Sequence, residues 1–532
     1  MPTTCTDIQH PASVSLAGAP AIAELAAGST HLWPAAILAA ITGLSRYVCR
    51  SHLLYDIDSV NFALAMDHFD PARHQPHPPG YFLYVCAARA LNALFGDANA
   101  SLVALSILAS CGAVVLIYLL TCDWFGRRAG IFAGAIFVFS PLCWFHGTVA
   151  LTYIVEVFFS TLVGYLCWRG QSGQPSRLLA AAVALGIAAG FRPSSLLFLG
   201  PLWLFSAWKA AARVKAAAAS LLALTLLAWW IPMAKASGGL RTYFEALLVL
   251  WAHVPGKQGM GIGAPVLSLA RIATIMGIAI LCFGCAAALV FRRDTREDSL
   301  RRKKRIFTFI WMGPAFLFFS LVFLVFVNSG YILIMSPPAF AWLGVRAADW
   351  FAQERGRRPL RIAVVAVAAV LNVAIFLFAP LYCSFQAVRH FEAELSRVTA
   401  AVRRTFKPQD TLIVGFDSHF LGYRHAAYYL PEFLSVEAPA VLRPGGQRIF
   451  AVYERKTTLT ATIPVGRFRQ FAIFPLPGGS DYYRAYMEKQ QGLFPPGVLH
   501  SQGSGPAFVT GPIASLKYLF PEKMLDGAGA RQ

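Results

Sequence analysis

Apolar runs of about 20 residues, the length that crosses a bilayer as a helix, recur from Leu32 to about residue 382. They fall at about 32–48, 98–122, 129–146, 149–168, 178–191, 194–211, 216–234, 265–291, 306–328, 331–346 and 362–382. The pattern predicts an all-α polytopic membrane bundle of about eleven transmembrane helices by the length rule. Gly80 to Phe95 is also apolar, but Arg89 and Asn92 interrupt it, so it reads as a helix lying at the interface. Residues 1–31 are polar to small and hold no Lys or Arg. Without a charged leader they read as a cytoplasmic tail, not a signal peptide.

After about residue 383 the period changes. A helical stretch at 386–405 is followed by strand-like runs Leu412–Phe416, Arg448–Tyr453 and Phe471–Phe474. That alternation predicts a small C-terminal α/β domain over 383–532, behind a transmembrane domain over 32–382. The last residues, Asp526 to Gln532, read as disordered.

Composition agrees with a membrane protein. The 532 residues are 57% hydrophobic and 14% charged, against about 25% charged in a soluble domain. The net charge of +20 would suggest nucleic acid in a soluble chain. Here the basic residues sit between apolar runs, so no nucleic-acid partner is assigned. Arg127 and Arg128, Arg169 and Arg177, Lys209 to Lys215, Arg292 to Arg305 and Arg346 to Arg361 fall on one side of the successive runs. The positive-inside rule makes that side cytoplasmic. The loop 50–97, Gly147, Arg192, the 236–264 loop, Gly330 and the C-terminal domain then lie outside. Arg46 and Arg50 go against the rule. The ten cysteines are scattered, and Cys282 and Cys285 stand inside an apolar run, where small packing residues are expected rather than redox or metal work.

Polar chemistry gathers in one stretch, Tyr55-Asp56-Ile57-Asp58-Ser59-Val60-Asn61 running on to His74-Gln75-Pro76-His77-Pro78-Pro79-Gly80-Tyr81. Asp56 and Asp58 share a face of an extended chain but diverge by about 200° on a helix. Either functional carboxylates or a plain N-cap (Asp58 or Ser59) for a helix Val60–His68 fits. Pro78 and Pro79 fix the backbone, Gly80 relieves crowding, and the corner aims His77 at the Asp. The two histidines, His74 and His77, lack further ligands at metal spacing. A divalent metal would have to draft Asp56 or His68, and no metal site is assigned. Glu156, just inside the fourth run, and Arg192, followed by Pro193, are charges at membrane depth and so functional candidates; a structural ion pair between them is the plainer alternative. His146 lies near their level. Arg241, His253 and Lys257 belong to a Gly-rich 236–264 stretch, with Lys235 just before it, that reads as a mobile outer loop able to close on an anion. Tyr331 faces the same side, with an interface-belt tyrosine as its plain reading. Asp417-Ser418-His419 and Tyr423-Arg424-His425 could face a sugar, or form an ordinary polar loop.

An Asp in the first outer loop, followed by His77-Pro78-Pro79-Gly80-Tyr81 and an interfacial helix, resembles the C-type, polyprenyl-phosphate-dependent glycosyltransferases. Protein O-mannosyltransferases and lipid A aminoarabinose transferases are members of that superfamily. Ala150-Leu151-Thr152-Tyr153-Ile154-Val155-Glu156 and Gly190-Phe191-Arg192-Pro193-Ser194 are further matching pieces, and the resemblance covers about 30–345. It implies Asp58 as the catalytic carboxylate, with Asp56 as fallback, since Ser59 stands where many relatives carry Glu. It also implies a polyprenyl-phosphate sugar as donor, a lipid, glycan or protein hydroxyl as acceptor, and a bacterial-type inner membrane. His74, His77, Tyr81, Arg192, Lys235, Arg241, Lys257 and Tyr331 are the candidates for substrate binding. The rivals are a flippase for a lipid-linked sugar and an inactive scaffold of an envelope polysaccharide system. A flippase would carry charges deep in several spans and broken helices in paired halves; here the polar residues gather at one face.

Overall fold

The computed structural model describes residues 19–258, 265–291, 299–324, 328–353, 357–438, 441–443, 446–474, 500–502 and 508–526, with backbone alone for 19–32, 251–258, 265–266, 441–443, 500–502 and 508–509. Its first part is helical: α1 (Ala19–Val48), α2 (Ile57–Asp67), α3 (Phe82–Phe95), α4 (Ala98–Phe125), α5 (Arg127–Val138), α6 (Pro141–His146), α7 (Tyr153–Gln171), α8 (Pro175–Phe191), α9 (Ser194–Ala207), α10 (Ala212–Ala236), α11 (Leu240–Gln258), α12 (Pro265–Phe283), α13 (Ser299–Leu321), α14 (Ser336–Ala352) and α15 (Arg358–Phe378). Among the described residues, five helical stretches are long and apolar enough to cross a membrane: Ala98–Phe125, Ala212–Ala236, Leu267–Phe291, Ser329–Ala352 and Arg358–Phe378. Leu360, Ile362, Val367, Val370 and Phe378 of α15 are exposed. So broad an apolar face has no aqueous explanation and fits lipid. The protein is a multi-pass membrane protein.

Three departures from the sequence reading have physical causes. The expected tail is partly helix, since α1 begins at Ala19. The expected run 129–146 is broken at Phe139, where Ser140 caps α6 by accepting from the Cys143 N–H. The expected mobile loop 236–264 is largely α11. The glycines at its start, Gly238 and Gly239, take left-handed φ values of 82° and 103°. They turn the chain from α10 into α11 rather than loosening it.

Arg46 and Arg50 also find their explanation. Arg46 is fully buried. It donates to the Val138 carbonyl at 2.8 Å and lies 4.9 Å from the Trp144 ring. It therefore serves the open C-terminal carbonyls of α5, where a cation is favoured, and is no surface charge subject to the positive-inside rule. Arg50 stacks on Tyr47 at 4.1 Å.

The second part opens with α16 (Phe385–Thr405), followed by β1 (Thr411–Phe416), α17 (Tyr423–Tyr429), β2 (Ser435–Ala438), β3 (Val441–Arg443), β4 (Gly446–Tyr453), β5 (Lys456–Thr460), β6 (Ile463–Pro464), β7 (Gln470–Phe474), β8 (His500–Gln502), β9 (Phe508–Pro512) and β10 (Leu525–Asp526). The main sheet runs β3-β4-β2-β1-β7-β9-β8, with β5 also on β4. β1 is central, parallel to both β2 and β7, and buried along its length. This is the α/β part that the strand-like runs predict. Its core is continuous with the bundle: Val388, Phe391, Ile413 and Ala426 join the cluster that holds Tyr55, Phe62, Phe145 and Tyr153.

The polar stretch 50–81 lies between the two parts and is bonded to both. Glu392 of α16 accepts from the His52 and Leu53 N–H groups at 2.5 and 3.2 Å, while Arg389 donates to the Arg50 carbonyl at 2.6 Å. Tyr429 Oη accepts from Leu54 N–H, and the His419 carbonyl accepts from Ile57 N–H at 2.9 Å. Further along, Gln75 exchanges bonds with Arg455 and Thr457, and Arg424 donates to the Arg73 carbonyl at 3.1 Å.

Candidate active site

The site begins at the N-terminus of α2. Asp56 is its N-cap, accepting from the Asp58 N–H at 2.8 Å. The helix therefore starts at Ile57 rather than Val60, and Asp56, not Asp58 or Ser59, does the capping. Ser59 instead donates to the Ala150 carbonyl at 2.8 Å. This frees the Asp58 side chain, which sits in the first helical turn, where the helix dipole favours a negative charge.

His77 meets Asp58 there. Nδ1 lies 3.3 Å from Asp58 Oδ1, and Nε2 lies 3.2 Å from the Tyr81 hydroxyl. Burial pushes the His77 pKa down, against the pull of the Asp58 carboxylate and with the Arg192 and Arg424 charges adding to it. Burial therefore favours a neutral imidazole: Nε2 shares a hydrogen bond with the Tyr81 hydroxyl, while Nδ1 makes none and meets Asp58 as a close electrostatic contact. The corner that sets this is tight. Gly80 has φ 108°, and a Cβ there would come within 2.8 Å of Met233 Sδ in α10. Tyr81 holds a left-handed φ of 47° as the residue capping α3, a conformation that costs roughly 1–3 kcal/mol outside glycine. Tyr243 of α11 donates to the Pro79 carbonyl at 3.2 Å and braces the corner from outside.

Asp56 differs from Asp58. Its second oxygen, Oδ2, lies 3.8 Å from His419 Nδ1 of the C-terminal part. Burial raises the Asp56 pKa to about 7, the Asp58 charge adds to that rise, and His419 opposes it.

Arg192 reaches the Asp58–His77 group through Tyr81, its guanidinium 6.0 Å from that ring. It is the residue that ends α8, and Nε lies 3.3 Å from Glu156 Oε2. It also donates to Thr152 Oγ1 at 2.8 Å and to Ser194 Oγ at 3.3 Å. Ser194 and Ser195 donate to Glu156 Oε1 at 3.3 and 3.4 Å. Three tyrosine rings surround the guanidinium: Tyr153 at 4.4 Å, Tyr331 at 5.5 Å and Tyr81 at 6.0 Å. Such a buried cation is paired, stacked on rings and still aromatic-lined on the side toward Tyr81. Gly330 lets the 3₁₀ turn Ser329–Met335 approach Tyr153, for a Cβ there would stand 2.2 Å from the ring.

Of the residues expected from sequence, Asp58, His77, Tyr81, Glu156, Arg192 and Tyr331 therefore come together, with Asp56 adjoining. His74 does not join them; its ring packs 4.9 Å from Phe450 of β4. Lys235 is exposed at the end of α10, and Arg241 is exposed and pairs with Glu245 at 2.9 Å. The Lys257 side chain lies outside the described residues. Arg424 and His425 are buried, Arg424 donating to Thr457 Oγ1 at 2.8 Å, so they hold the loop rather than face a sugar. Tyr153, Asn328 and Tyr382 are neighbours that sequence reasoning left without a role; Tyr153 was visible only as part of the stretch Ala150–Glu156. Among the described residues no group of three or more His, Cys, Asp or Glu converges to hold a metal ion, and no step is derived through one.

Residues 76–234 match the family model described as dolichyl-phosphate-mannose-protein mannosyltransferase. No curated protein sequence matches the chain. The structure is similar to ArnT from Cupriavidus metallidurans in the apo state, with TM-score 0.56 and 13% identity over 92% of this chain and 98% of that one. The same ArnT bound to undecaprenyl phosphate gives TM-score 0.56 and 12% identity over 90% and 97%. A weaker likeness, TM-score 0.44 at 14% identity over 76% of this chain and 64% of that one, is to the oligosaccharyltransferase of Archaeoglobus fulgidus. In the segment that carries His77 to Arg192, and in fold along nearly its whole length, the chain is similar to the C-type, polyprenyl-phosphate-dependent glycosyltransferase superfamily.

Proposed function

We propose that the protein is an integral-membrane glycosyltransferase that moves a sugar from a polyprenyl-phosphate donor to a hydroxyl acceptor at the outer face of a bacterial inner membrane. The observation that carries this reading is a carboxylate and a caged cation linked through Tyr81: His77, beside Asp58, bonds the Tyr81 hydroxyl, and Arg192 lies 6.0 Å from the Tyr81 ring. Glycosyl transfer from a lipid phosphate wants both. A base takes the proton of the incoming hydroxyl as its oxygen bonds to the sugar C1, and a cation receives the phosphate as the C1–O bond breaks. Asp58 is the base in this reading. His77 orients it through a neutral imidazole, and Asp56 shapes the helix start from which it projects. Arg192 and the hydroxyls of Tyr331 and Tyr81 hold the leaving phosphate. The basic connections lie at the other end of the bundle: Lys304 donates to the Trp124 carbonyl and Arg169 pairs with Asp123. That distribution supports an outward site. It also supports spans beyond the five stretches that are long and apolar enough to cross, and a division into the membrane part 32–382 and the outer domain 383–532.

The test is transfer of labelled sugar from a panel of polyprenyl-phosphate donors, in membranes carrying wild-type protein or Asp58→Asn. Transfer by wild type and its loss in Asp58→Asn at equal protein level is the expected result. No turnover of any donor by wild type would sink the reading and return the flippase and the scaffold.

A further inference from the structure

The start of α13 carries a charge that the fold uses only in part. Segment 292–305 holds eight Arg and Lys against Asp294, Glu297 and Asp298, and Arg301 to Arg305 are five cations in a row. The helix divides them. Arg301 and Lys304 are buried, 5.8 and 4.7 Å from the Phe125 ring, and Lys304 donates to the Trp124 carbonyl at the end of α4. Those two serve the packing of the bundle. Arg302 lies on the other side of the helix, exposed, and among the described residues it makes no ion pair.

In line with Arg302, at helical spacing, stand Ile306, Phe309 and Leu317, all exposed, Phe309 by 77%. An exposed apolar stripe of this kind fits lipid tails. From Arg302 to Leu321, where the helix ends, is about 28 Å at 1.5 Å per residue, close to the roughly 30 Å of a hydrocarbon core. Arg302 therefore marks the edge of that core. Side chains lean toward a helix N-terminus, so its guanidinium reaches away from the tails, to the depth of lipid phosphates.

Two neighbours fix the level. Trp208, 76% exposed, closes α9. Phe198 of α9 meets Phe318 and Phe319 of α13 at 5.4 and 5.2 Å, so α9 descends beside α13 and Trp208 stands near the level of Thr308. An exposed tryptophan belongs at the headgroup boundary. Lys303, partly exposed beside Arg302, lies 5.0 Å from the Trp168 ring near the end of α7. Tyr153, which stacks on Arg192, begins α7. The two ends are about 22 Å apart along the helix, so this patch is remote from the Asp58–Arg192 site.

We propose that Arg302 and Lys303 form a binding site for the phosphate of an anionic phospholipid, in the leaflet at the end of the bundle away from Asp58, with the lipid tails on the stripe below Arg302. The stripe is what selects a lipid over a soluble anion, because headgroup and tails are met by one continuous face. Net negative charge is selected because the exposed cations have no counter-charge among the described residues of that face. Binding here is independent of the sugar transfer proposed above.

The experiment titrates the detergent-solubilised full-length protein with phosphatidylglycerol or phosphatidylcholine of the same acyl chains. Bound lipid is followed by native mass spectrometry, with thermal unfolding as the folding control. Wild type is expected to hold phosphatidylglycerol the more tightly. Arg302→Gln with Lys303→Gln should weaken that binding about thirtyfold, since each basic residue at a membrane surface is worth roughly 1 kcal/mol. Arg302→Lys with Lys303→Arg keeps both charges and should bind as wild type does. Arg213→Gln with Lys215→Gln removes two exposed cations at the start of α10 and should change little. Equal loss in the two charge-removing variants would mean diffuse attraction by net charge and overturn the site, as would equal binding of both lipids by wild type. Displacement of phosphatidylglycerol by millimolar inorganic phosphate would overturn the lipid assignment in favour of a soluble anion.

Discussion

Asp58 and His77 face each other at 3.3 Å from opposite ends of one polar loop, while Asp56, a neighbour in sequence, is turned away to cap α2. The two aspartates are therefore not interchangeable. Asp58→Asn should lower transfer by about 10²–10⁴, the usual worth of a general base. Asp56→Asn keeps a good cap. It also removes a carboxylate whose pKa is raised to about 7 in the fold, from about 3.9 in an unfolded chain. Such a group opposes folding increasingly as pH rises through that window. Asp56→Asn should accordingly gain thermal stability over wild type at pH 8 and not at pH 4. Equal midpoint differences at both pH values would refute the burial of that charge.

The pairing of Arg192 with Glu156 separates structure from function. Glu156→Gln leaves a buried guanidinium short of its counter-charge and should cost roughly 3–5 kcal/mol. Replacing both, as Arg192→Met with Glu156→Leu, should return most of that stability, since apolar substitutes for a buried pair are often neutral. Undecaprenyl phosphate binding should stay lost in the double variant. If binding returned with stability, Arg192 would be a structural residue only.

Gly330→Ala places a Cβ 2.2 Å from the Tyr153 ring. Overpacking of this kind costs about 1–3 kcal/mol, and here it would also push two rings of the Arg192 cage. Transfer should fall together with the unfolding midpoint. Gly277→Ala, where a Cβ meets nothing within 4 Å, should change neither.

His425 predicts an acid limb in stability. Burial pushes its pKa down to about 4, against about 6.5 in an unfolded chain. Between those values the unfolded chain takes up a proton that the folded one refuses, so stability falls as pH drops from about 6.5 to 4. The loss is at most about 3 kcal/mol. His425→Gln should flatten that limb in thermal unfolding followed across the same pH range; an unchanged limb would place the titrating group elsewhere.

Much of this was legible in the sequence. The helix that the sequence predicts at Gly80–Phe95 is α3, Phe82–Phe95, and the strand-like run Leu412–Phe416 is the core of β1. Apolar period and turn residues are local signals, and they survive folding. The cap was not legible, because Asp56, Asp58 and Ser59 all have side chains able to cap. The choice falls to the Ile57 N–H, which the distant His419 carbonyl takes. Arg46 was misread for a related reason: hydropathy cannot show that a charge at the end of a span turns inward to the carbonyls of another helix. The Gly-rich stretch misled because glycine marks a sharp turn between helices as well as a flexible loop. Lys235 and Arg241 are cations on the expected outer face, yet Lys235 is exposed at the end of α10 and Arg241 pairs with Glu245.

The bonds from Glu392, Arg389, Tyr429, His419 and Arg424 to the loop 50–81 bear on how proteins of this fold can be recombined. The backbone that aims Asp58 is held by four side chains and one carbonyl encoded more than 300 residues later. A chimera that exchanges the C-terminal part between relatives would have to carry the loop with it as one cassette, although helices α3 to α15 lie between them in sequence. Specificity engineered by swapping either piece alone would inherit a mismatched seam, and the penalty would appear in the placement of the carboxylate rather than in the domain that was exchanged.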